Sequence, residues 1–376
     1  MSFLNKIETW ITKSKPSDDG WSQIKPFIFI KLTTDGGYYG WGEAFTLPTR
    51  EKGIVEIIHN LVNSLSHIEN LTPDRFHKEV EEIADGHRGI DFSAATSAIE
   101  MSLWDIEGKK KNKPLYKILS SEYRDKVPVY ATIWSEDFKN DETLSSRCEE
   151  ILNQGYGGIK IYPLQKRTID QAAICVSKIR QTMGLNIPLM LDLACPKNKN
   201  VSLKLAPLVK EFKPYWFEEP VDGEATRALK EIKNQTGLRI VTGEKQCGIN
   251  HFIETLSADA VDIFNPDISS VGGIIDMIKI IELSNKNNVR VSPHCWNSMS
   301  IAASAMVHLC MSFPNTEMAE FFPEYIPYTL KFCNKNFEIN NGFIELDNRE
   351  GLGVKIDTNL LMENTSSYKF SILDKN

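Results

Sequence analysis

Residues 188–245, PLMLDLACPKNKNVSLKLAPLVKEFKPYWFEEPVDGEATRALKEIKNQTGLRIVTGEK, decide the fold. Three short apolar runs stand in this stretch, Pro188 to Leu193, Tyr215 to Phe217 and Leu238 to Val241. Between them lie loops and segments with the apolar spacing of helices. An acid closes each unit: Asp192, Glu218 and Glu244. The alternation continues in both directions. Val127 to Trp134 and Gly158 to Tyr162 precede it, and Ala260 to Phe264, Val289 to Val291 and Glu317 to Phe322 follow. Eight β segments alternating with helices at intervals of roughly 25 to 30 residues are what a (β/α)8 barrel of TIM type requires. A doubly wound sheet is the rival, but no Gly-rich phosphate loop follows any of the runs.

The flanks read differently. Phe27 to Thr33 and Tyr38 to Ala44 are β segments joined across Asp35-Gly36-Gly37, a hairpin signal. From about Val55 to Gly108 the pattern turns helical, and Ser97 to Ile106 is rich in small and apolar residues, as a tightly packed buried helix is. The expected α/β architecture is therefore an α+β capping domain over 1–125 and a modified barrel over 126–335. A tail over 336–376, with β pieces at Phe337 to Leu346 and Gly351 to Ile356, is expected to pack back on the capping domain and complete it.

Composition narrows the function class. An apolar fraction of 41% and a charged fraction of 25% belong to an ordinary globular protein, and the net charge of -7 gives no basic face for nucleic acid or a membrane surface. The Lys109-Lys110-Lys111-Asn112-Lys113 cluster reads as a solvated helix end. Seven scattered cysteines with no CxxC pair indicate neither a disulfide framework nor a zinc site. The amino terminus has no signal-peptide core and no long apolar run appears, so the cytoplasm is the expected location.

Barrel enzymes place their chemistry at the carboxyl ends of the strands. The second run ends in Lys160-Ile161-Tyr162, which puts Lys160 and Tyr162 on one face. Asn265-Pro266-Asp267 follows the sixth run, Pro293-His294 follows the seventh, and Glu320 lies within the eighth. Taken singly, an acid after a strand is usually a helix N-cap, and a lone His294 a satisfied core histidine. The joint pattern weighs more, because seven of the eight strand ends carry ionisable groups. Asp192, Glu218 and Glu244, on adjacent strands, would repel one another unless a cation sat between them. All-oxygen ligands favour a hard cation, best Mg²⁺.

Over nearly its whole length the chain resembles the enolase superfamily and, within it, the mandelate racemase branch. The resemblance is carried by Gly40-Trp41-Gly42-Glu43-Ala44, the Ser97 to Gly108 helix, Gly158 to Tyr162, Trp216-Phe217-Glu218-Glu219-Pro220 and Gly243-Glu244. Asp267 with Gly272-Gly273, Pro293-His294 and Gly351-Leu352-Gly353 complete it. It implies a capping domain whose loops near residues 12–24 and 45–52 close over a small-molecule carboxylate substrate. It also implies Mg²⁺ on Asp192, Glu218 and Glu244, a His294/Asp267 pair, Glu320 beside the substrate carboxylate, and self-assembly into a homo-oligomer. Glu218 is preferred to Glu219 as the first acid of its motif.

The mechanism implied is abstraction of the proton α to a carboxylate. Lys160, Glu320 and the cation stabilise the resulting enediolate, while His294, held by Asp267, acts as base and then acid. Racemases of this branch often carry a second lysine where this chain has Tyr162. A phenol titrates near 10, so a one-base dehydratase is favoured, with Tyr162 as hydrogen-bond donor or activated phenolate. Asp192-Leu193-Ala194 lacks the asparagine common two residues after the aspartate. The leading expectation is an acid-sugar dehydratase acting on an aldonate or aldarate. An enolate isomerase (racemase, epimerase or lactone cycloisomerase) is the alternative, and a non-catalytic sugar-acid binding protein the third. Arg50, Trp21 and Phe45, with Pro48 and Arg88, are the candidates for reading the distal end of the substrate. Arg50 is placed to clamp a second carboxylate.

Overall fold

The computed structural model describes residues 2–13, 26–134, 140–223, 225–296 and 300–373. The chain opens with three antiparallel strands, β1 (Leu4–Lys13), β2 (Pro26–Thr34) and β3 (Tyr39–Ala44). The expected hairpin joins β2 to β3 in the register Ile28↔Ala44 to Thr33↔Tyr39, with Gly37 at φ 83° in its turn. Helices Glu51–Leu65, Pro73–Ala84 and Ile90–Lys111 follow. Ile90–Lys111 is buried on nearly every side, and its small residues meet two glycines of β3. A Cβ on Gly42 would lie 1.9 Å from the Ala98 carbonyl oxygen, and one on Gly40 1.9 Å from that of Ser102. Helix and sheet backbones touch here, so the stretch tolerates no larger residue on either side.

The second unit is the expected alternation. Its strands are β4 (Val127–Ile133), β5 (Ile159–Ile161), β6 (Leu189–Asp192), β7 (Trp216–Glu218), β8 (Ile240–Thr242), β9 (Ile263–Phe264), β10 (Arg290–Val291) and β11 (Ala319–Phe321). They pair in parallel in chain order from β4 to β10, and β11 returns beside β4 through Glu320↔Tyr130. The last seam is not a continuous ladder. A bridge between Val291 and Thr316 and the Glu317 N–H donating to the Val291 carbonyl (2.7 Å) hold β10 to the segment before β11.

Inside the barrel the two-residue strand period builds layers. Tyr130, Met190, Trp216, Val241, Ile263 and Met318 form one apolar cluster. Two residues further along the same strands or just past their ends stand Thr132, Asp192, Glu218, Asn265 and Glu320, all buried. The apolar layer is thus the floor of a polar one at the carboxyl rim.

The tail divides between the two units. Strands β12 (Phe337–Asn340) and β13 (Phe343–Leu346) form a hairpin that pairs with the start of β4, Ile344↔Val127, instead of packing on the capping domain as expected. Strand β14 (Thr365–Ile372) joins the cap sheet, antiparallel to β1, giving the order β14-β1-β2-β3, and Gly351 and Leu352 meet the cap through the Leu115 N–H on the Gly351 carbonyl and the Leu352 N–H on Asp105, both 2.9 Å. The physical reason is hydrogen bonding: both β1 and the start of β4 would otherwise leave an open edge, and the tail supplies a strand to each. No helix among the described residues is long and apolar enough to cross a membrane.

Candidate active site

The structure brings the expected strand-end residues together at one rim. Asp192, Glu218 and Glu244 each offer a carboxylate oxygen, and these oxygens lie within 4.8 Å of one another. Glu218 points inward because it stands two residues after Trp216, whose indole N–H donates to its Oε2 (2.8 Å). The Asn265 side chain donates to Glu218 Oε1 at 3.0 Å. Burial pushes the Asp192 carboxyl up to about 7, against the pull of Lys160, and Glu244 adds to the rise. Burial likewise raises Glu218 and Glu244 well above the usual carboxylate range. Three acids that resist ionisation side by side, Asp192 and Glu218 buried and Glu244 partly so, form a donor set short of positive charge, and a hard divalent cation fits it.

Lys160 is fully buried among these acids. Its ammonium is 2.6 Å from Glu218 Oε1, 2.7 Å from Glu320 Oε1 and 3.6 Å from Asp192 Oδ2. Burial alone would lower its pKa, but Glu218 and Glu320 more than reverse that and hold it charged. Burial would raise Glu320, but Lys160, His294 and the hydrogen bond from the Thr132 hydroxyl keep it below the usual range; it also accepts from the Cys295 N–H at 2.9 Å.

Across the rim, Asp267 and His294 are paired by a parallel β-bridge between adjacent strand ends. His294 Nδ1 lies 2.8 Å from Asp267 Oδ2, so the aspartate fixes the ring and directs Nε2 into the site. Nε2 is 3.2 Å from Glu244 Oε2 and 3.8 Å from Glu320 Oε2. Burial opposes protonation of His294, but Glu244, Glu320 and Asp267 outweigh it and raise the imidazole to about 10. Asp267 stays below its ordinary value in spite of burial, because His294 and the N–H and hydroxyl of Ser269 all bond to it.

Tyr162 is buried and lies against Trp134. Burial and the nearby Asp192 push its phenol well above 10, against the pull of Lys160, which is the reverse of what an activated phenolate requires. Phe45 reaches the site from the cap: its N–H donates to the Ser269 carbonyl (3.0 Å), and its ring meets Trp296. Arg50 does not come with it. It occupies the N-cap position of helix Glu51–Leu65 and pairs with Asp91 at 3.4 Å, its side chain 47% exposed. Pro48 is exposed, and Arg88 is bound to Asp276 at 2.6 Å and Glu81 at 2.8 Å. Trp21 lies outside the described residues. Thr132, Asn265, Ser269, Trp134 and Trp296 were missed by the sequence reading. The strand period from Tyr130 and Ile263 could have flagged Thr132 and Asn265; the others reach the site through loops.

Comparisons with known proteins agree with this geometry. Residues 143–360 match the enolase C-terminal domain-like family, and residues 18–120 match the mandelate racemase/muconate lactonizing enzyme N-terminal domain. A D-galactonate dehydratase of Klebsiella pneumoniae is 28% identical over 363 residues, 91% of this chain and 92% of that protein. A D-gluconate/D-galactonate dehydratase of Picrophilus torridus is 26% identical over 362 residues, covering 93% and 89%. Among solved structures, an enolase from the Sargasso Sea environmental genome superposes with a TM-score of 0.95 at 46% identity, covering 98% of both chains. The 3,6-anhydro-D-galactonate cycloisomerase of Zobellia galactanivorans superposes at 0.87 with 28% identity, covering 97% of this chain and 100% of that one. With both domain models matched in order and the strand-end residues assembled at one rim, the chain belongs to the mandelate racemase/muconate lactonizing enzyme family of the enolase superfamily.

Proposed function

We propose that the protein is a Mg²⁺-dependent acid-sugar dehydratase that converts an aldonate or aldarate to a 2-keto-3-deoxy acid. The observation that carries this reading is the His294/Asp267 pair, with Nε2 facing the cluster of Lys160, Glu244 and Glu320. Members of the superfamily use a divalent metal, and Asp192, Glu218 and Glu244 would hold it here. When bound, the cation supplies Lewis-acid stabilisation to the carboxylate end of the substrate as negative charge builds there.

The remaining work falls to the chain. Lys160, itself fully buried, presents a fixed positive charge to the developing enediolate. Glu244 is the largest of the charges that raise His294, and a cation held there would offset it, leaving His294 Nε2 free to take the α proton while Asp267 supports the imidazolium that forms. The electron pair left on the α carbon becomes the double bond to the β carbon as the β C–O bond breaks. The same Nε2–H then protonates the departing hydroxyl, releasing water and an enol that tautomerises to the 2-keto acid. The dehydratase names of relatives aligned over nine-tenths of the chain support elimination over racemisation. Tyr162 donates a hydrogen bond to substrate in this reading.

The test is a screen of Mg²⁺-loaded protein against aldonates and aldarates for 2-keto acids, with His294→Asn as control. Turnover should fall by at least about 10³-fold in that variant with little change in folding. Intact turnover would sink the assignment. The likeness to the Zobellia cycloisomerase supports one second reading, an enolate isomerase, in which α deuterium enters from D₂O and product forms without loss of water.

A further inference from the structure

Just outside the rim, Cys195, Glu219 and Lys245 form a cluster that the proposed reaction does not use. Cys195 follows closely on Asp192 in the chain and Lys245 comes directly after Glu244, so the cluster joins the segments that carry two of the acids at the proposed cation site. Ala194 and Cys195 both lie in the left-handed region, at φ 52° and 56°, and the Cys195 N–H donates to the Glu219 carbonyl at 2.9 Å. This turn brings the thiol to Glu219 Oε2, 2.7 Å away, and to Lys245 Nζ, 2.5 Å away.

The sulfur–nitrogen separation is diagnostic. It is shorter than an N–H···O bond, about 2.7 Å at its closest, although sulfur is the larger acceptor. It is too long for a direct bond, since even S–S needs only about 2.05 Å. It is the span of two single bonds that meet at one oxygen atom. The cluster also has the access and the base that insertion of oxygen needs. Cys195 is half-buried, as is Cys247, whereas the other five cysteines are buried, and the Lys245 side chain is 48% exposed. Burial and the facing Glu219 push the Cys195 thiol up, so at rest the sulfur is a neutral donor to that carboxylate. Its susceptibility comes from the nitrogen held beside it and from Glu219, which receives the thiol proton as the sulfur is oxidised.

We propose that Cys195 and Lys245 are a modification site, at which dioxygen or hydrogen peroxide inserts one oxygen atom between Sγ and Nζ to give a covalent S–O–N bridge. The S–H bond and an N–H bond break, and an S–O and an N–O bond form. Sulfur and nitrogen each give up two electrons. One molecule of dioxygen takes all four, leaving one oxygen atom in the bridge and the other as water; two molecules of hydrogen peroxide do the same and leave three waters. Thiol reductants return four electrons and restore thiol, amine and water. The bridge ties the segment after β6 to the segment after β8 across 50 residues of chain, so the oxidised protein holds Asp192 and Glu244 together with no cation bound. The site is independent of which acid the enzyme turns over.

The experiment takes the full chain, reduced with dithiothreitol and freed of metal by chelator, and exposes it to air or hydrogen peroxide. Intact mass should rise by about 14 Da, one oxygen gained and two hydrogens lost, and dithiothreitol should reverse it. Trypsin should no longer cut after Lys245, and the peptides of Cys195 and Lys245 should elute joined. The melting temperature should rise by about 5 °C with the bridge. Cys195→Ser and Lys245→Arg should each lose both the mass gain and the thermal shift, while Cys247→Ser keeps them. A gain of about 16 or 32 Da with Lys245 still cleavable is ordinary thiol oxidation and would overturn the bridge. So would a gain of about 14 Da that survives in Cys195→Ser. A bridge that leaves the melting temperature unchanged would overturn its role as a lock between the two segments.

Discussion

Glu218 and Glu219 are adjacent in the chain and face opposite ways. Glu218 continues the inward face of β7, whereas Glu219 sits at φ 44°, in the left-handed region, and turns out of the barrel. There its Oε1 accepts from the Thr242 hydroxyl (2.7 Å) and the Gly243 N–H (3.2 Å), and its Oε2 from the Cys195 thiol (2.7 Å). One acid faces the proposed cation site, the other is a clasp between the segments that follow β6, β7 and β8. Mg²⁺ is therefore expected to raise the melting temperature of wild type, by the equivalent of about 2.7 kcal/mol at a hundredfold excess over Kd. Glu218→Gln should abolish that rise, and Glu219→Gln should lower stability while keeping it, both read by thermal shift with and without chelator. The sign with pH follows from Asp192. Its folded pKa of about 7 lies above the ordinary 3.8, so its stabilising contribution is present in acid and lost as pH rises through 7. The Mg²⁺ increment should thus be larger at pH 8 than at pH 5.5; an equal increment would argue against a charge-deficient site.

At the scale of elements, the contact of β3 with helix Ile90–Lys111 sets where the cap can sit. Gly42→Ala places a methyl 1.9 Å from the Ala98 carbonyl oxygen, helix backbone that cannot yield as the Ser102 hydroxyl at 2.6 Å could. The expected cost is about 3 kcal/mol, enough to loosen the cap, and urea denaturation measures it. A change below about 0.5 kcal/mol would mean that helix and sheet are not locked together. The small-residue character of Ser97 to Ile106 was legible because close packing writes itself into composition. The division of the tail was not. Phe337 to Leu346 read as β and Thr365 to Ile372 was not singled out, and only the position of each open edge assigns the first to β4 and the second to β1.

At the scale of the whole molecule, the cap docks on the barrel through buried charge. Glu100 accepts from the Ile275 N–H at 2.8 Å, and Arg88 pairs with Asp276 at 2.6 Å. Glu43 accepts from the Ala302 N–H at 3.2 Å. Gly272 and Gly273, both at φ 128°, let the barrel backbone pass these carboxylates; a Cβ on Gly273 would lie 2.6 Å from the Glu100 carboxyl. His77, Glu81 and Asp276 bring ligand atoms within 4.8 Å of one another, but Arg88 and Lys279 already supply positive charge there. Both units also hold a histidine that resists protonation. Burial lowers His308, in the barrel helix Ile301–Ser312, to about 3, and burial aided by Lys369 lowers His59 of the cap to about 4. A depressed histidine stabilises fully above its ordinary 6.5 and loses that contribution as pH falls toward the folded value. The fold should weaken between pH 6.5 and 4, with roughly 3 kcal/mol traceable to His308 by pH 4. His308→Gln should flatten this slope in urea titrations across that range, and an unchanged slope would remove His308 as its cause.

The sequence by itself determined the alternation of strand and helix and the residues that meet at the rim, because both follow from local periods. A two-residue period fixes the inward face of a strand, and one βα unit carries each strand end to the next place around the barrel. Asp192, Glu218, Glu244, Asp267, His294, Lys160 and Glu320 could be named on that ground and on family likeness. What only the tertiary structure decided lies in contacts between segments with no shared period. Arg50 turns to Asp91, the tail serves two sheets, and Trp134 and Trp296 close an aromatic wall with Tyr162 and Phe45. Each depends on how helices, loops and cap pack around the barrel, and packing is a property of the assembled surfaces that no single stretch of chain encodes.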